Sequence, residues 1–342
     1  MKIGILGCGS MGTVLGAFLT RGGLQVDFID NYKAHVDMLN EAGVHIVGTQ
    51  DFTEKVNAML PEEMEGIYDL IFLFTKQTAN EEVLTNLRAH LGENSIVCTL
   101  QNGIPEPFVA EYVGEERTVG GTVLWSATFR EPGVSELTQD LTTLDHYFEV
   151  GEMDGKMTDR IQMVADVLGK MGNTRITQEL MASRWSKLVN NACMSGMSAA
   201  TGLTFGGVLD DPKASATLSY LCKEVYDCSK AEGYDMPLFF GYDPKVLDVF
   251  DQRSYEENQR VFKDVYSVAL PAKASMLQDL EKGRKTEVKM INGYVSQVGR
   301  KHGIPTPFND TVVKIVTGVE EGTLEITNKN IEFFEDSWYI YK

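Results

Sequence analysis

The sequence predicts an α/β protein in two parts, a sheet domain with helices on both faces followed by an all-α domain. Three observations carry that prediction. Short apolar runs alternate with helical patterns through the first half, an N-terminal run empties into the glycine triplet Gly7, Gly9 and Gly12, and strand signals vanish beyond about Gln178. The spacing divides the chain into a domain over 1–177, a second over 178–326 and a tail over 327–342.

Ile3 to Leu6 reads as a buried strand. Gly7 then permits a tight turn, Gly9 lets backbone approach a ligand, and Gly12 lets the next helix pack closely. Strand, glycine turn and helix in this order form a Rossmann-type dinucleotide site. The loop residues Cys8, Ser10 and Met11 join the glycines in facing the pyrophosphate, because amides at a helix N-terminus favour an anion. Gln25 to Ile29 forms the second strand, and Asp30 follows it, where a carboxylate can accept from an adenosine ribose hydroxyl. As a plain alternative, Asp30 caps the next helix. That helix runs through Leu39. Tyr68 to Leu73 and Ser95 to Leu100 read as strands four and five, with helical patterns between and after them. Thr118 to Val150 is β-rich, broken at Glu131-Pro132-Gly133 and at Gln139 to Thr143, as expected of antiparallel strands completing the sheet. Asp159 to Met171 supplies a further helix. Gly202, Gly206, Gly207, Pro237, Pro244, Pro271, Gly303 and Pro305 punctuate the helices of the second domain.

With 342 residues, 43% hydrophobic, there is material for two cores. The net charge of −18 argues against nucleic acid and anionic membranes as partners. Five cysteines without CxxC spacing read as reduced thiols; for Cys8 in the glycine loop, a small packing residue is the plain alternative to a ligand contact. A strand that begins at the first residues leaves no room for a targeting peptide, and no apolar stretch approaches spanning length, so a cytoplasmic protein is expected. The five histidines are scattered without metal-ligand spacing, so no metal is expected. His35 and His302 read as surface residues. The aromatic and acidic tail could dock on the body or support a homodimer, and nothing in it chooses between them.

Ligands of an open parallel sheet bind beyond the carboxyl ends of its strands. There the chain places Lys76 and Asn102. Lys76 can meet a phosphate or a substrate carboxylate, or be a solvated loop lysine; Asn102 can meet a nicotinamide amide or a reacting oxygen, or simply form the turn before Gly103. In the segment from Arg184 to Ser195, Lys187, Asn191 and Ser195 are four apart and line one face of an otherwise apolar helix. Burying such a stripe is costly unless something polar lies opposite. A substrate would satisfy it; a solvent-facing stripe is the other reading.

The segment from Ala274 to Gly293 contains Ser-Met-Leu-Gln-Asp at 275–279, Thr286-Glu287, and Ile-Asn-Gly at 291–293. Together with the glycine triplet, Lys76, Gln101-Asn102-Gly103 and the Trp-x-Lys-Leu-x-x-Asn pattern at 185–191, this resembles the ketopantoate reductase family. That family comprises the 2-dehydropantoate 2-reductases and related 2-hydroxyacid dehydrogenases. The resemblance spans nearly the whole chain, in order. It implies hydride transfer from NAD(P)H to the ketone of a 2-oxo acid, ketopantoate to pantoate as in pantothenate biosynthesis, or another 2-oxo acid in a D-2-hydroxyacid dehydrogenase of the mandelate type. Lys187 looks like the catalytic lysine and Glu287 like the carboxylate near that lysine and the cofactor. Ser275 looks like a substrate-carboxylate contact and Asn191 like a substrate amide. Lys76 and Asn102 look like the cofactor- and substrate-facing positions.

Two residues depart from the family pattern. Ser195 stands where an asparagine is usual, and Ala272 where an asparagine often precedes the Ser-Met run. Both positions normally touch ketopantoate, which puts the substrate side chain in question. Asp30-Asn31 stands where a basic residue meets the 2'-phosphate in a family that mostly uses NADPH, so the residues favour NADH. Lys33 is near enough to keep NADPH in play. A non-catalytic NAD(P) sensor would need the glycine loop but not Lys187, Asn191, Ser275 and Glu287 together.

Overall fold

Four consecutive apolar or small residues with no exposed side make Ile3–Leu6 (β1) a strand buried on both faces. The computed structural model describes residues 1–341, with side chains through Glu335. The chain forms two compact units, Met1–Gln101 with Pro105–Leu180, and Asn102–Ile104 with Met181–Lys342.

In the first unit, β1 is followed by α1 (Ser10–Arg21), β2 (Val26–Ile29), α2 (Lys33–Ala42), β3 (Val44–Gly48), β4 (Phe52–Glu54), β5 (Asn57–Met59) and β6 (Tyr68–Leu73). Then come α3 (Asn80–Leu87), β7 (Leu91–Thr99), α4 (Glu106–Val113), β8 (Thr118–Val123), β9 (Ala127–Glu131), β10 (Val134–Leu137), β11 (Phe148–Gly151), α5 (Asp159–Leu168) and β12 (Thr174–Ile176). The main sheet has eight strands in the order β12-β11-β8-β7-β6-β1-β2-β5. Ile3 aligns with Val26 on one side and Leu70 on the other, both parallel. Chain direction therefore reverses its march at β1, and the crevice beyond the carboxyl ends of β1 and β6 is the topological switch point where such sheets bind ligands.

The β-rich stretch after Thr118 corrects the expectation that it completes one sheet. β8 and β11 do extend the main sheet, but β9 and β10 leave it for a second, four-stranded sheet ordered β4-β3-β10-β9. Strands β3, β4 and β5 carried too little apolar alternation to be foreseen; two of them are three residues long and half-exposed. The second sheet exists because α1 is apolar on more than one face. Phe18 meets Phe52 of β4 edge-on at 5.1 Å, while Gly16 presses on the Phe28 ring of β2, where an added Cβ would lie 2.4 Å away.

The second unit contains α6 (Leu180–Val189), a π-helical turn over Asn190–Met194, α7 (Ser195–Thr201), α8 (Phe205–Asp210), α9 (Pro212–Ala231), α10 (Gln252–Val265), α11 (Ser275–Glu281), α12 (Val288–His302) and α13 (Pro307–Glu320). Its core is continuous from Trp185 and Leu188 through Leu218 and Val225 to Val295 and Ile315. A buried polar chain knits four of its elements. Glu224 on α9 accepts from the backbone N–H of Phe308 and Asn309 at 2.9 Å and from Asn309 Nδ2 at 2.7 Å, which closes the N-terminus of α13. Asn292 Nδ2 on α12 donates to Asn309 Oδ1 at 2.9 Å and to the Ala192 carbonyl at 2.8 Å, which fastens the π turn.

Of the tail, Phe334 is fully buried and stacks on Phe308 at 6.3 Å, and Asn330 Nδ2 donates to the Ala200 carbonyl at 3.0 Å. Its first part therefore docks on the helical unit; side chains beyond 335 lie outside the described residues. No helix among the described residues is long and apolar enough to cross a membrane.

Candidate active site

Gly7 has φ +98°, and a Cβ there would lie 2.5 Å from the Thr75 amide nitrogen. Only glycine lets the turn pass this close to the loop after β6. A Cβ on Gly12 would sit 2.2 Å from the Gly7 carbonyl, so α1 starts directly against the turn. Gly9 differs: its added Cβ meets nothing within 4 Å. It is the N-cap of α1 and offers no capping side chain, which leaves first-turn amides facing open space. This is the shape a pyrophosphate fills, so the loop fits a dinucleotide. Cys8 turns its thiol inward to the Ile5 carbonyl at 3.4 Å, and burial pushes the thiol well above its usual range. Only the backbone of Cys8 is left for a ligand.

His35 corrects the expectation of a surface histidine. It is 1% exposed, in the first turn of α2. Its Nδ1 accepts the Gly133 N–H at 2.9 Å, so Nε2 carries the proton toward Thr13 Oγ1 at 3.2 Å, and that hydroxyl donates to the Cys8 carbonyl at 2.7 Å. The imidazole thus ties the glycine loop to the β9–β10 turn. His302 is exposed, as expected.

Asp30 lies just past β2, and its Oδ1 accepts the Tyr32 N–H at 2.8 Å. The carboxylate is held in a fixed Asx turn with its second oxygen not used there. Lys33 is occupied nearby: its Nζ pairs with Asp37 at 2.7 and 2.9 Å. Lys76 sits half-buried after β6, on a loop braced by Gln101, whose Nε2 donates to the Thr75 carbonyl at 2.6 Å and to Asn80 Oδ1 at 2.7 Å. Thr99 Oγ1 donates to Gln101 Oε1 at 3.1 Å. Gln101, part of the Gln101-Asn102-Gly103 motif but without an assigned role in the sequence, thus braces the loop that carries Lys76.

Asn102 is exposed and groups with the helical unit, where the neighbouring Ile104 enters the apolar core. In that unit Lys187 is on α6, Asn191 in the π turn and Ser195 at the start of α7. A continuous α-helix would carry residue i+8 about 80° past i, since it turns about 100° per residue. The single extra residue of a π turn removes most of that offset, leaving about 20°. The π turn therefore brings Lys187, Asn191 and Ser195 onto one line. Exposure agrees: Lys187 and Asn191 are half-buried and Ser195 is 8% exposed, while Ala192, Cys193, Met194, Met197 and Ala199 are at 0%.

Around the Lys187 amine the protein removes most water. That desolvation first, and the charge of fully buried Arg184 second, pull its pKa from the usual 10.5 down to about 7. Glu287 is the half-buried N-cap of α12, whose start is fixed by Thr286, with Thr286 Oγ1 donating to Glu320 Oε1 at 2.6 Å. Ser275 is exposed at the first position of α11, and that helix begins beside α7, where the Ala274 N–H meets Ser198 Oγ at 3.5 Å.

A switch-point glycine loop followed by a helical domain that carries a near-neutral lysine defines the class: an NAD(P)-dependent oxidoreductase. Within that class the chain belongs to the ketopantoate reductase family. The family model described as "Ketopantoate reductase PanE/ApbA" matches residues 3–153, and the one described as "Ketopantoate reductase PanE/ApbA C terminal" matches 179–320. A 2-dehydropantoate 2-reductase of Archaeoglobus fulgidus is 29% identical over 94% of this chain and 98% of its own. Another from Streptococcus pyogenes is 27% identical over the same shares. Among solved structures, D-mandelate dehydrogenase with NADH and anilino(oxo)acetate superposes with a TM-score of 0.78 at 25% identity, covering 94% of this chain and 99% of that one. A family ketopantoate reductase from Ralstonia eutropha shares the fold with a TM-score of 0.80 at 21% identity, over the same shares.

Proposed function

We propose that this chain reduces the ketone of a 2-oxo acid to the 2-hydroxy acid, with NADH as the preferred coenzyme and ketopantoate the first candidate substrate. The observation that carries the reading is Lys187, an amine brought to a pKa of about 7 on the same helix line as Asn191 and Ser195. Bound coenzyme supplies the hydride. As ammonium, Lys187 stabilises negative charge growing on the carbonyl oxygen and gives up its proton there. A pKa near neutrality lets the same group work as acid in reduction and as base in oxidation. Asn191 and Ser275 hold the substrate carboxylate, Glu287 orients the amine, and Lys76 and Asn102 complete the contacts to coenzyme and substrate.

The NADH preference rests on Asp30. A carboxylate fixed past β2 accepts from a free 2'-hydroxyl and repels a 2'-phosphate, and the Lys33 charge is already met by Asp37.

Ser195 supports a second reading, a D-2-hydroxyacid dehydrogenase acting on a different side chain, as does the likeness to D-mandelate dehydrogenase. A panel of 2-oxo acids with ketopantoate included, assayed with NADH and NADPH on wild type and Lys187→Ala, tests both readings. Turnover of one member of the panel, lost in Lys187→Ala, is expected; unchanged turnover in the variant would exclude Lys187 as the acid.

A further inference from the structure

We infer that Tyr266 and Asn190 are positioning residues that fix which end of the Asn191 amide is offered to substrate; this rests on the proposed 2-oxo acid reductase reading. The π turn places two asparagines side by side, and their amides form a polar relay with one direction. Tyr266, 4% exposed just past α10, donates its hydroxyl to Asn190 Oδ1. Its ring cannot swing away, since it stacks on Phe262 at 5.8 Å, meets Phe205 edge-on at 5.4 Å and lies 6.3 Å from Phe240. With Oδ1 occupied, Asn190 turns Nδ2 toward Asn191 Oδ1 at 3.4 Å. That contact uses the acceptor of Asn191. What remains is Nδ2, a buried donor without a partner among the described residues.

Burial keeps the phenol protonated, and in this arrangement its hydroxyl is the donor to Asn190 Oδ1. It donates, so the relay runs one way. A 2-oxo acid presents only acceptors at its carboxylate and ketone, so a donor end is the useful one, and a flipped amide would set oxygen against an anion. Leaving a buried N–H unsatisfied is costly in a ligand-free site, and an arriving acceptor returns that cost on binding. Asn190 and Tyr266 thus set the polarity of a contact neither of them makes.

The test is a double-mutant cycle on the full-length enzyme with the best 2-oxo acid of the panel. Tyr266→Phe keeps the ring stack and removes only the relay's first donor. We expect its KM for the 2-oxo acid to rise about tenfold, with KM for NADH unchanged and kcat lowered less than twofold to threefold. In an Asn191→Ala background the same substitution should add nothing, since the residue it acts through is gone. A merely structural role would instead give additive losses and would move both KM values together. If wild type turns over no 2-oxo acid, the relay falls together with the reading it rests on. If wild type is active while Tyr266→Phe leaves KM unchanged, or while the losses add, the relay alone is overturned.

Discussion

Arg184 stands three residues before Lys187 on α6, one helical turn away, and is fully buried. Two cations on one face of a helix repel, and repulsion adds to the larger effect of lost water in holding the amine near 7. A lysine tuned in this way is poised where a general acid transfers protons most effectively.

Reduction needs the ammonium form. Its kcat/KM should therefore be highest below pH 7 and fall about tenfold per pH unit well above it, whereas oxidation of the 2-hydroxy acid should rise over the same range. Arg184→Gln should move both limbs upward by less than the full distance to 10.5, because desolvation is the larger cause and stays in place. Steady-state rates from pH 5 to 9 in both directions check this; parallel profiles for the two directions would contradict it.

Lys187 also costs stability. Its folded pKa is lowered, so between about 7 and 10.5 the unfolded chain holds a proton that the folded chain does not, and stability rises with pH through that window. Below pH 7 both states are protonated and the full cost of a desolvated ammonium applies. Lys187→Met should abolish turnover by about a thousandfold or more and yet raise the unfolding midpoint. The gain should be largest at pH 7 and below and should vanish toward pH 10.5. Thermal unfolding of the two proteins across that range measures it, and a variant less stable than wild type at pH 6.5 would count against the assignment.

The nucleotide half was legible because its constraints are local. Gly7, Gly9 and Gly12 each answer a backbone requirement, and a four-residue apolar run before them leaves little choice of partner structure. The second sheet was not legible, because β3 and β9–β10 meet through register across some ninety residues, and short half-exposed strands carry little periodic signal. The burial of His35 has no local signal for a related reason: its ring is held by the Gly133 N–H, far along the chain. On the helical side, spacing placed Lys187, Asn191 and Ser195 on one face, although four-residue spacing over two turns drifts in a regular α-helix. The π turn that corrects the drift has no sequence signature. Arg184 and Tyr266 were silent too, since what each does depends on a partner the sequence does not name.

Asp30 should govern coenzyme choice. Wild type is expected to prefer NADH over NADPH, and Asp30→Ala should lower kcat/KM with NADH about tenfold by removing the ribose acceptor while improving NADPH. Adding Lys33 to the picture sharpens the test, for Asp37→Asn frees its amine from the pair seen at 2.7 Å. The double variant Asp30→Ala, Asp37→Asn should favour NADPH. A wild type that already prefers NADPH strongly would overturn this account of Asp30.

Gly9 and Gly12 separate binding from folding. At Gly9 the backbone has φ −66° and an added methyl meets nothing, so Gly9→Ala should keep the unfolding midpoint within about a degree while weakening coenzyme binding at least tenfold, by filling the space left for a pyrophosphate. At Gly12 an added Cβ would fall 2.2 Å from the Gly7 carbonyl, a backbone atom that cannot turn aside. Gly12→Ala must push α1 off the turn, and about 2–4 kcal/mol of the first unit's stability should go with it. Titrating NADH against both variants, beside their thermal unfolding, distinguishes the two sites; equal loss of stability at Gly9 would mean that the loop's open face is occupied by protein rather than held for a ligand.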